Sequence, residues 1–382
     1  MQFKDIIGQN EVKQRLRLSV TESRIPHAQL FFGQEGVGSL SLAIAYAQYI
    51  ACEHRTENDS CGQCPSCLQY RKLQHPDLHF AFPVFKEKTG RDSVCDDFIE
   101  QFRNIILQKQ YFSQNDWYAA IGAENKQGVI YEAESSEILR KLSLKSFSDG
   151  YKTMIIWLPE KMHTACANKL LKIIEEPPVK TLFLLVTQEP ERLLPTILSR
   201  TQQIHIPNLS EEEIKQALLS QNEDLSTNEA KSIAHIANGS WLRALQTLSQ
   251  TDEMQQNLNM FTSLFRNAWS VGRKKSYEAL FDLREWCSQM AAKGREVQKI
   301  FLVYAQNQIR ENYIRNLQQP QLNYQTLQEA AFSERFAPFI NERNVEQLLR
   351  QFTVAQQQIE QNGNAKIIFF DLCLQTIVLI KK

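Results

Sequence analysis

The glycine-rich loop at residues 33–40 has the spacing of a phosphate-binding P-loop but lacks the residues that do its chemistry. In the motif G-x-x-x-x-G-K-[ST], backbone N–H groups hold phosphates, the Lys reaches the β- and γ-phosphates, and the hydroxyl holds Mg²⁺. Here Ser39 stands at the Lys position and Leu40 at the hydroxyl position. The glycines are retained as Gly33, Gly36 and Gly38. The pattern predicts a degenerate P-loop with no ATP turnover; the alternative is a plain glycine-rich turn.

A cluster of four cysteines has the spacing C-x8-C-x2-C-x2-C and consists of Cys52, Cys61, Cys64 and Cys67. Four thiolates suit tetrahedral Zn²⁺, and a site with no open coordination position is structural. An iron–sulfur cluster is a rival, although a ferredoxin run would continue with Cys and Pro where Leu68 follows here. Unliganded thiols are the third possibility. The remaining cysteines are predicted to be packing residues: Cys95, Cys166, Cys287 and Cys373.

Apolar runs that alternate with helical patterns surround the glycine loop and must position it. Residues 28–32 predict a buried strand before the loop, and residues 40–50 predict a helix after it. Further strands are predicted at 153–158, 181–187 and 203–206, and further helices at 11–24 and 165–174. Such alternation indicates an α/β fold with a parallel sheet covered on both faces.

The chain is predicted to contain three domains. The α/β domain covers residues 1–206, with a zinc module at about 52–67 and an inserted, mostly surface segment at about 84–128. Pro207 breaks the chain, and Ser210 with Glu213 forms a capping box that opens a helix. From there the patterns are helical, which predicts a small domain at 207–255 and a larger one at 256–382.

The 43 basic and 43 acidic residues give a formal net charge of zero, which disfavours a dedicated nucleic-acid-binding surface. A zinc-bearing nucleic-acid module is therefore the weaker reading of the cysteines. The N-terminus has no apolar signal region, and the longest apolar stretch, residues 367–380, is too short and polar to span a bilayer. The sequence predicts a cytoplasmic protein without membrane contact, in which residues 367–380 form a buried terminal helix.

Several further motifs accompany the degenerate P-loop and the cysteines. They are Ile7-Gly8-Gln9, Pro26-His27-Ala28, His75-Pro76-Asp77, residues 167–172 running into Glu175-Glu176-Pro177-Pro178, residues 194–200, and Asn362-Gly363-Asn364-Ala365-Lys366. In this combination the chain resembles the delta-prime subunits of the bacterial DNA polymerase III clamp loader, in the AAA+ superfamily. The resemblance implies a RecA-like AAA+ sheet domain, a helical lid domain and an all-α C-terminal collar.

The resemblance also implies that the loss of the ATP site is systematic. Active relatives end the second strand in an acidic pair that binds Mg²⁺, and here that pair falls on Trp157 and Leu158. Their lid carries an Arg in a Gly-Ser-x-Arg pattern, where this chain has Leu242 with Arg243 one step off. Phosphoryl transfer needs a Lys, a metal and an oriented water, so no intrinsic catalysis is expected.

Arg200, which follows Ser199, lies at the family's Ser-Arg-Cys motif, although Thr201 replaces the Cys. In the family this arginine reaches the ATP of a neighbouring motor subunit. A planar, permanently charged donor can stabilise charge on the transferring γ-phosphate. Arg200 is therefore predicted to be an arginine finger acting in trans; the alternative is a structural salt bridge.

The function that the resemblance implies is that of a non-hydrolysing, stator-like subunit. It would form a hetero-oligomeric ring with the tau/gamma motor and delta subunits, as part of the DNA-directed DNA polymerase holoenzyme. The ring would load the sliding clamp onto primed DNA during replication. The alternative is an active AAA+ motor subunit of the same machine.

Overall fold

The structure is a computed structural model that describes residues 1–86, 93–123, 127–147, 150–222, 225–248, 252–319 and 322–381. Its internal contacts divide the chain into two compact units. The first comprises Met1–Ala123 and Gln127–Ala244, and the second contains the helical residues from Leu245 onward.

The first unit is built on a five-stranded sheet in the order β2-β3-β4-β1-β5, with all neighbours parallel. The strands are β1 (Ala28–Phe32), β2 (Leu78–Ala81), β3 (Lys152–Trp157), β4 (Thr181–Thr187) and β5 (Gln202–His205). Every residue of β3 and β4 is buried, as expected for strands covered on both faces. The predicted parallel α/β fold is confirmed. The edge strand β2 escaped prediction because four residues that include His79 give too short an apolar run.

The helices of the first unit include the predicted ones after β1 and β3 and before β1. They are α1 (Asn10–Thr21), α2 (Ser39–Ala51), α3 (Pro65–Arg71), α4 (Ile99–Gln108), α5 (Gln114–Ala120), α6 (Glu132–Ser143), α7 (Thr164–Glu175), α8 (Pro195–Leu198), α9 (Glu211–Gln221), α10 (Thr227–Ala237) and α11 (Trp241–Leu248). The predicted capping box before α9 is confirmed, since the Ser210 side chain accepts from the Glu213 N–H and the Glu213 carboxylate accepts from Ser210 N–H.

The segment at 84–128 was predicted to lie mostly on the surface, and its described residues are partly exposed and partly buried. Phe102 of α4 and Trp117 of α5 are fully buried, and their rings meet with centroids 5.2 Å apart. Phe102 also stacks on Phe82 at 3.9 Å. Burying large aromatic side chains such as these is strongly favourable. Phe102 and Trp117 are therefore part of the core of the first unit.

The second unit consists of the helices α12 (Asp252–Lys274), α13 (Tyr277–Ala292), α14 (Arg295–Asn316), α15 (Leu327–Phe336), α16 (Val345–Glu360) and α17 (Ala365–Leu379). The sequence placed a domain border at residue 255, which lies inside α12, whereas the two compact units divide at Ala244. Residues 207–244 belong with the first unit because Ser240 and Trp241 hydrogen-bond to the backbone of the glycine loop, and the Gln9 side chain donates to the Pro207 carbonyl.

The last helix, α17, is buried on one face only, which corrects the prediction of a buried terminal helix. Phe369 and Leu372 lie in the core of the second unit. The opposite face exposes four large apolar side chains: Ile367, Phe370, Leu374 and Val378. Within the described residues, helices long and apolar enough to cross a membrane do not occur.

Candidate functional site

The glycine loop has the strand–turn–helix setting that a P-loop requires. It runs from the end of β1 to the start of α2, and Gly36 and Gly38 have positive φ angles of 86° and 91°. A side chain on Gly36 would collide with the Ser240 hydroxyl, and one on Gly38 would come within 2.9 Å of the Tyr111 ring. Glycine is required at these positions because both the backbone angles and the neighbours exclude a side chain.

The space beside this loop is largely filled by the protein's own side chains. Tyr111 and Phe112, from the segment between α4 and α5, line it together with Trp157 at the end of β3. The rings of Phe112 and Trp157 lie 5.2 Å apart. A cavity of about 40 Å³ remains, which has room for a few waters. Small-molecule sites are typically about 300–1,000 Å³, so the loop has no space for a nucleotide in this conformation.

Two hydrogen bonds hold Tyr111 and its segment in place, one from the N-terminal segment of the chain and one from α2. The Tyr111 hydroxyl accepts from the Ile7 N–H at 3.0 Å, and the Ser41 hydroxyl donates to the Gln110 carbonyl at 2.8 Å. Burial raises the pKa of Tyr111 to about 12, so the phenol stays neutral and polar at physiological pH. The filling of the pocket is therefore anchored on two sides.

The start of α11 bonds directly to the P-loop backbone. Trp241 N–H donates to the Gly36 carbonyl at 3.1 Å, and the Ser240 hydroxyl donates to the Glu35 carbonyl at 2.8 Å. Leu242, at the position where the family resemblance implies a nucleotide-contacting arginine, is buried against Gly36. These contacts fix the start of α11 against the glycine loop.

The two apolar residues at the predicted acidic-pair position are buried in the structure. Trp157 and Leu158 are 3% and 1% exposed, respectively, and both belong to the core of the first unit. Glu160, two residues later, turns toward β4, where its carboxylate accepts from the Thr187 hydroxyl at 2.7 Å. Burial raises the pKa of Glu160, which further disfavours the charged form that a metal ligand needs.

The four clustered cysteines converge on one point, as their spacing predicted. Their Sγ atoms all lie within 4.8 Å of one another, and those of Cys61 and Cys67 are 3.9 Å apart. Four sulfurs bound to one Zn²⁺ at about 2.3 Å form a tetrahedron with edges of about 3.8 Å. The donor set and its spacing therefore fit a structural zinc ion held by Cys52, Cys61, Cys64 and Cys67.

Backbone N–H groups already point at these sulfurs. Cys61 N–H donates to Cys52 Sγ at 3.2 Å, and Cys64 N–H donates to Cys61 Sγ at 3.3 Å. The N–H groups of Gln63 and Cys64 lower the pKa of Cys61 to about 6, whereas burial raises the pKa of Cys52 and Cys67. Such N–H···S bonds stabilise the thiolate form that binds metal.

The zinc module is tied to the N-terminal segment of the chain. The Asp59 carboxylate accepts from the N–H groups of Phe3 and Lys4 at 3.0 and 2.9 Å. The Arg71 guanidinium of α3 donates to the Gly62 carbonyl at 2.9 Å. The hydrogen bonds of Asp59 therefore connect the cysteine loop to the first residues of the chain.

The other four cysteines are all buried, as predicted, but two of them are not separate. Cys287 of α13 and Cys373 of α17 lie with their sulfurs 3.3 Å apart in the second unit. Sequence separation hid this pair, because its members are 86 positions apart in the chain. Cys95 and Cys166 belong to the core of the first unit.

Arg200 lies just after α8 and forms an ion pair with the last residue of α7. Its Nε donates to Glu175 Oε2 at 2.8 Å, and its Nη1 donates to the Thr196 carbonyl at 3.0 Å. The side chains of Arg200 and Glu175 are 30% and 55% exposed, respectively. The neighbouring Ser199 hydroxyl also donates to the Thr196 carbonyl, at 3.2 Å. The guanidinium is thus held at the surface rather than buried.

Comparison with known proteins identifies the family. The family model described as DNA polymerase III, delta subunit, matches residues 8–210, more than half of the chain. The chain belongs to this family. The resemblance to delta-prime subunits is also confirmed by the Bacillus subtilis DNA polymerase III subunit delta', which is 27% identical over 278 residues, 73% of this chain and 69% of that protein.

Other relatives of this family member are tau subunits of DNA polymerase III. The Escherichia coli tau subunit is 29% identical over 66% of this chain, and the chain spans only 32% of that longer protein. Among solved structures, a DNA polymerase III gamma subunit-related protein from Thermotoga maritima is 12% identical with a TM-score of 0.39, covering 98% of this chain and all of that one. A likeness at this level adds nothing to the fold described above.

One residue that lines the candidate site of this DNA polymerase III delta family member was not singled out from the sequence. Glu35, inside the P-loop, lines the remaining cavity, and its carboxylate accepts from the Gln114 N–H at 3.4 Å and from the Gln188 side chain. Burial raises its pKa. A carboxylate in a loop that would hold phosphates repels them. Glu35 occupies a variable position of the P-loop motif, so the sequence did not predict that its side chain lines the cavity.

Replacing Glu35 with glutamine is expected to stabilise the protein at neutral pH. Because burial raises the folded-state pKa above the unfolded value, the native state binds a proton more readily. The wild-type protein therefore gains stability as the pH falls through the folded pKa and carries the full burial cost above it. Thermal melts should show Tm higher by roughly 2–4 °C at pH 7.5 and a smaller gain at pH 5. Glu191→Gln, on an exposed side chain, is the control; equal gains for both variants would contradict the expectation.

Proposed function

We propose that this protein is a non-hydrolysing subunit of a DNA polymerase III clamp loader, in which the AAA+ ATP site has become part of the core. The observation that carries the proposal is the filled P-loop, where Tyr111, Phe112 and Trp157 leave a cavity of about 40 Å³. The missing Lys and hydroxyl at Ser39 and Leu40 support the same conclusion. No intrinsic catalysis is expected.

The proposed assembly is a hetero-oligomeric ring with tau/gamma motor subunits and a delta subunit, working in the cytoplasm. Relatives named delta' and tau support this membership. The ring would load a sliding clamp onto primed DNA, and this subunit would contact clamp and DNA through the complex. Within the ring, Arg200 would present its guanidinium to the ATP of a neighbouring motor subunit, since it is held at the surface by Glu175 and Thr196.

The second candidate, an active motor subunit, is kept because tau subunits are among the relatives. Calorimetry on the isolated chain distinguishes the two. We expect no Mg²⁺-dependent ATP binding and no turnover for the non-hydrolysing subunit. ATP binding with turnover by the isolated chain would contradict the proposal.

A repair of the motif sharpens this test. The double variant Ser39→Lys, Leu40→Thr restores the P-loop sequence but leaves the aromatic filling in place. We expect it to remain without ATP binding, because the nucleotide has no space. If the repaired loop alone bound ATP, the filling would not be what excludes the nucleotide. The matched control adds Tyr111→Ala and Phe112→Ala to the repair, with folding checked by circular dichroism.

The collar role proposed for the second unit is supported by the exposed apolar face of α17. Four large apolar residues at helical spacing are between 42% and 68% exposed: Ile367, Phe370, Leu374 and Val378. Apolar stripes of this kind mark contact surfaces. Phe370→Asp is expected to weaken co-assembly with the motor subunits at least tenfold in sedimentation or gel filtration, while Asp371→Ala, on an adjacent exposed residue, leaves it unchanged. If Phe370→Asp assembled as well as the wild-type protein, this face of α17 would not be part of the interface.

A further inference from the structure

We propose that Glu175 is a positioning residue that fixes the orientation in which the Arg200 guanidinium meets a neighbouring subunit's nucleotide. The inference rests on the proposed function, because it concerns the same trans-acting arginine. It assigns to the first Glu of the Glu-Glu-Pro-Pro segment a role in presenting that arginine.

The fold brings these two residues together from sequence positions 25 apart. Glu175 is the last residue of α7, and the following prolines prevent the helix from continuing. Arg200 follows the short helix α8, which contacts α7. Both side chains therefore project from the ends of helices that are fixed against each other.

The contacts to Arg200 hold the guanidinium at two of its three nitrogens, on different edges. Nε donates to Glu175 and Nη1 donates to the Thr196 carbonyl, which engages two of the five N–H groups. Across the described residues, no acceptor is recorded for Nη2. The guanidinium is rigid and planar, so holding it at Nε and Nη1 also fixes the direction of the donors that remain. Those donors are available to a phosphate of another chain.

The ion pair contributes little to folding, which separates positioning from stability. Glu175 is more than half exposed and Arg200 about one-third exposed, and exposed ion pairs stabilise proteins only weakly. What the pair does supply is a restriction on a long, flexible side chain. A catalytic donor that is displaced by about 1 Å can lower a rate by as much as 10²-fold.

Five variants of the full-length chain, each assembled with its motor and delta partners, clamp and primed DNA, test the proposal. Glu175→Ala is expected to lower the kcat of DNA-stimulated ATP hydrolysis roughly tenfold, since the guanidinium loses its orientation. Glu175→Gln keeps an oxygen acceptor and is expected to restore the rate to within about threefold. Glu176→Ala removes the same charge from the adjacent exposed residue and should leave the rate unchanged. The KM for ATP, the assembly of the complex and Tm should stay constant throughout.

Arg200→Ala separates this proposal from the proposed function. If Glu175 acts through Arg200, adding Glu175→Ala to Arg200→Ala should have no further effect. A wild-type rate for Glu175→Ala beside an impaired Arg200→Ala would overturn the positioning role and leave the arginine finger standing. Equal losses for Glu175→Ala and Glu176→Ala, a faster Glu175→Ala complex, or failure of glutamine to rescue would also overturn it. An unimpaired Arg200→Ala complex would instead overturn the arginine-finger role within the proposed function.

Discussion

Replacing Arg200 with alanine is expected to abolish most ATP hydrolysis at the neighbouring site that it is proposed to serve. Arginine fingers contribute about 10³–10⁵ in kcat by stabilising charge on the transferring γ-phosphate, so turnover at that site should fall by at least about 10³. Clamp loading by the reconstituted complex should fall with it. Folding should be nearly unaffected, because the ion pair with Glu175 is exposed.

Two further variants control this experiment. Arg200→Lys keeps the positive charge but loses the planar fork, and it should remain strongly impaired. Arg192→Ala removes an exposed arginine paired with Glu189 on the same unit and should behave as the wild type. If DNA-stimulated ATP hydrolysis and clamp loading persist in the Arg200→Ala complex, the residue is a structural ion-pair partner and not a finger.

The second large effect is expected on removing the metal. The Cys64→Ser variant should lose stoichiometric zinc and unfold at lower temperature, because the coordination that fixes the loop 52–67 is broken. Structural zinc contributes about 10–16 kcal/mol of coupled folding free energy in finger peptides, and a quarter of that would lower Tm by roughly 6–12 °C. The contacts from Asp59 to the first residues of the chain should loosen as well.

Metal analysis of protein purified without added zinc is the direct measurement. About one zinc per chain is expected for the wild type and for Cys166→Ala, which changes a buried cysteine outside the cluster. Cys64→Ser should contain none. Stoichiometric iron with sulfide would favour the iron–sulfur alternative. If the wild-type protein contained no metal and Cys64→Ser had the same Tm, the thiols would be unliganded.

Local patterns were enough to predict the frame of the first unit. The strand at 28–32, the loop and the helix after it appear as β1, the positive-φ glycines and α2, and the strand at 181–187 is β4 residue for residue. The spacing of the four cysteines also predicted their convergence. These features depend on neighbours in sequence: apolar runs, glycine conformations, and ligands a few residues apart.

What fills the P-loop could not be read in the same way. Tyr111 and Phe112 come from a segment with no clear periodicity, and they reach Gly38 and Trp157 only because the core of the first unit folds around α4. The burial of Glu35 depends on the same packing. Tyr, Phe and Glu residues also occur on protein surfaces, so residue type alone did not predict that these side chains lie beside the glycine loop.

By itself, the sequence determined that the phosphate loop had lost its Lys and its metal-binding hydroxyl, and that four cysteines could hold one ion. Only the tertiary structure decided that the emptied site is occupied by aromatic side chains and closed by Ser240 and Trp241. It also decided that Glu175 is the partner of Arg200. The reason is physical: missing chemistry is visible in residue types, whereas occupancy and orientation arise from contacts between residues far apart in the chain.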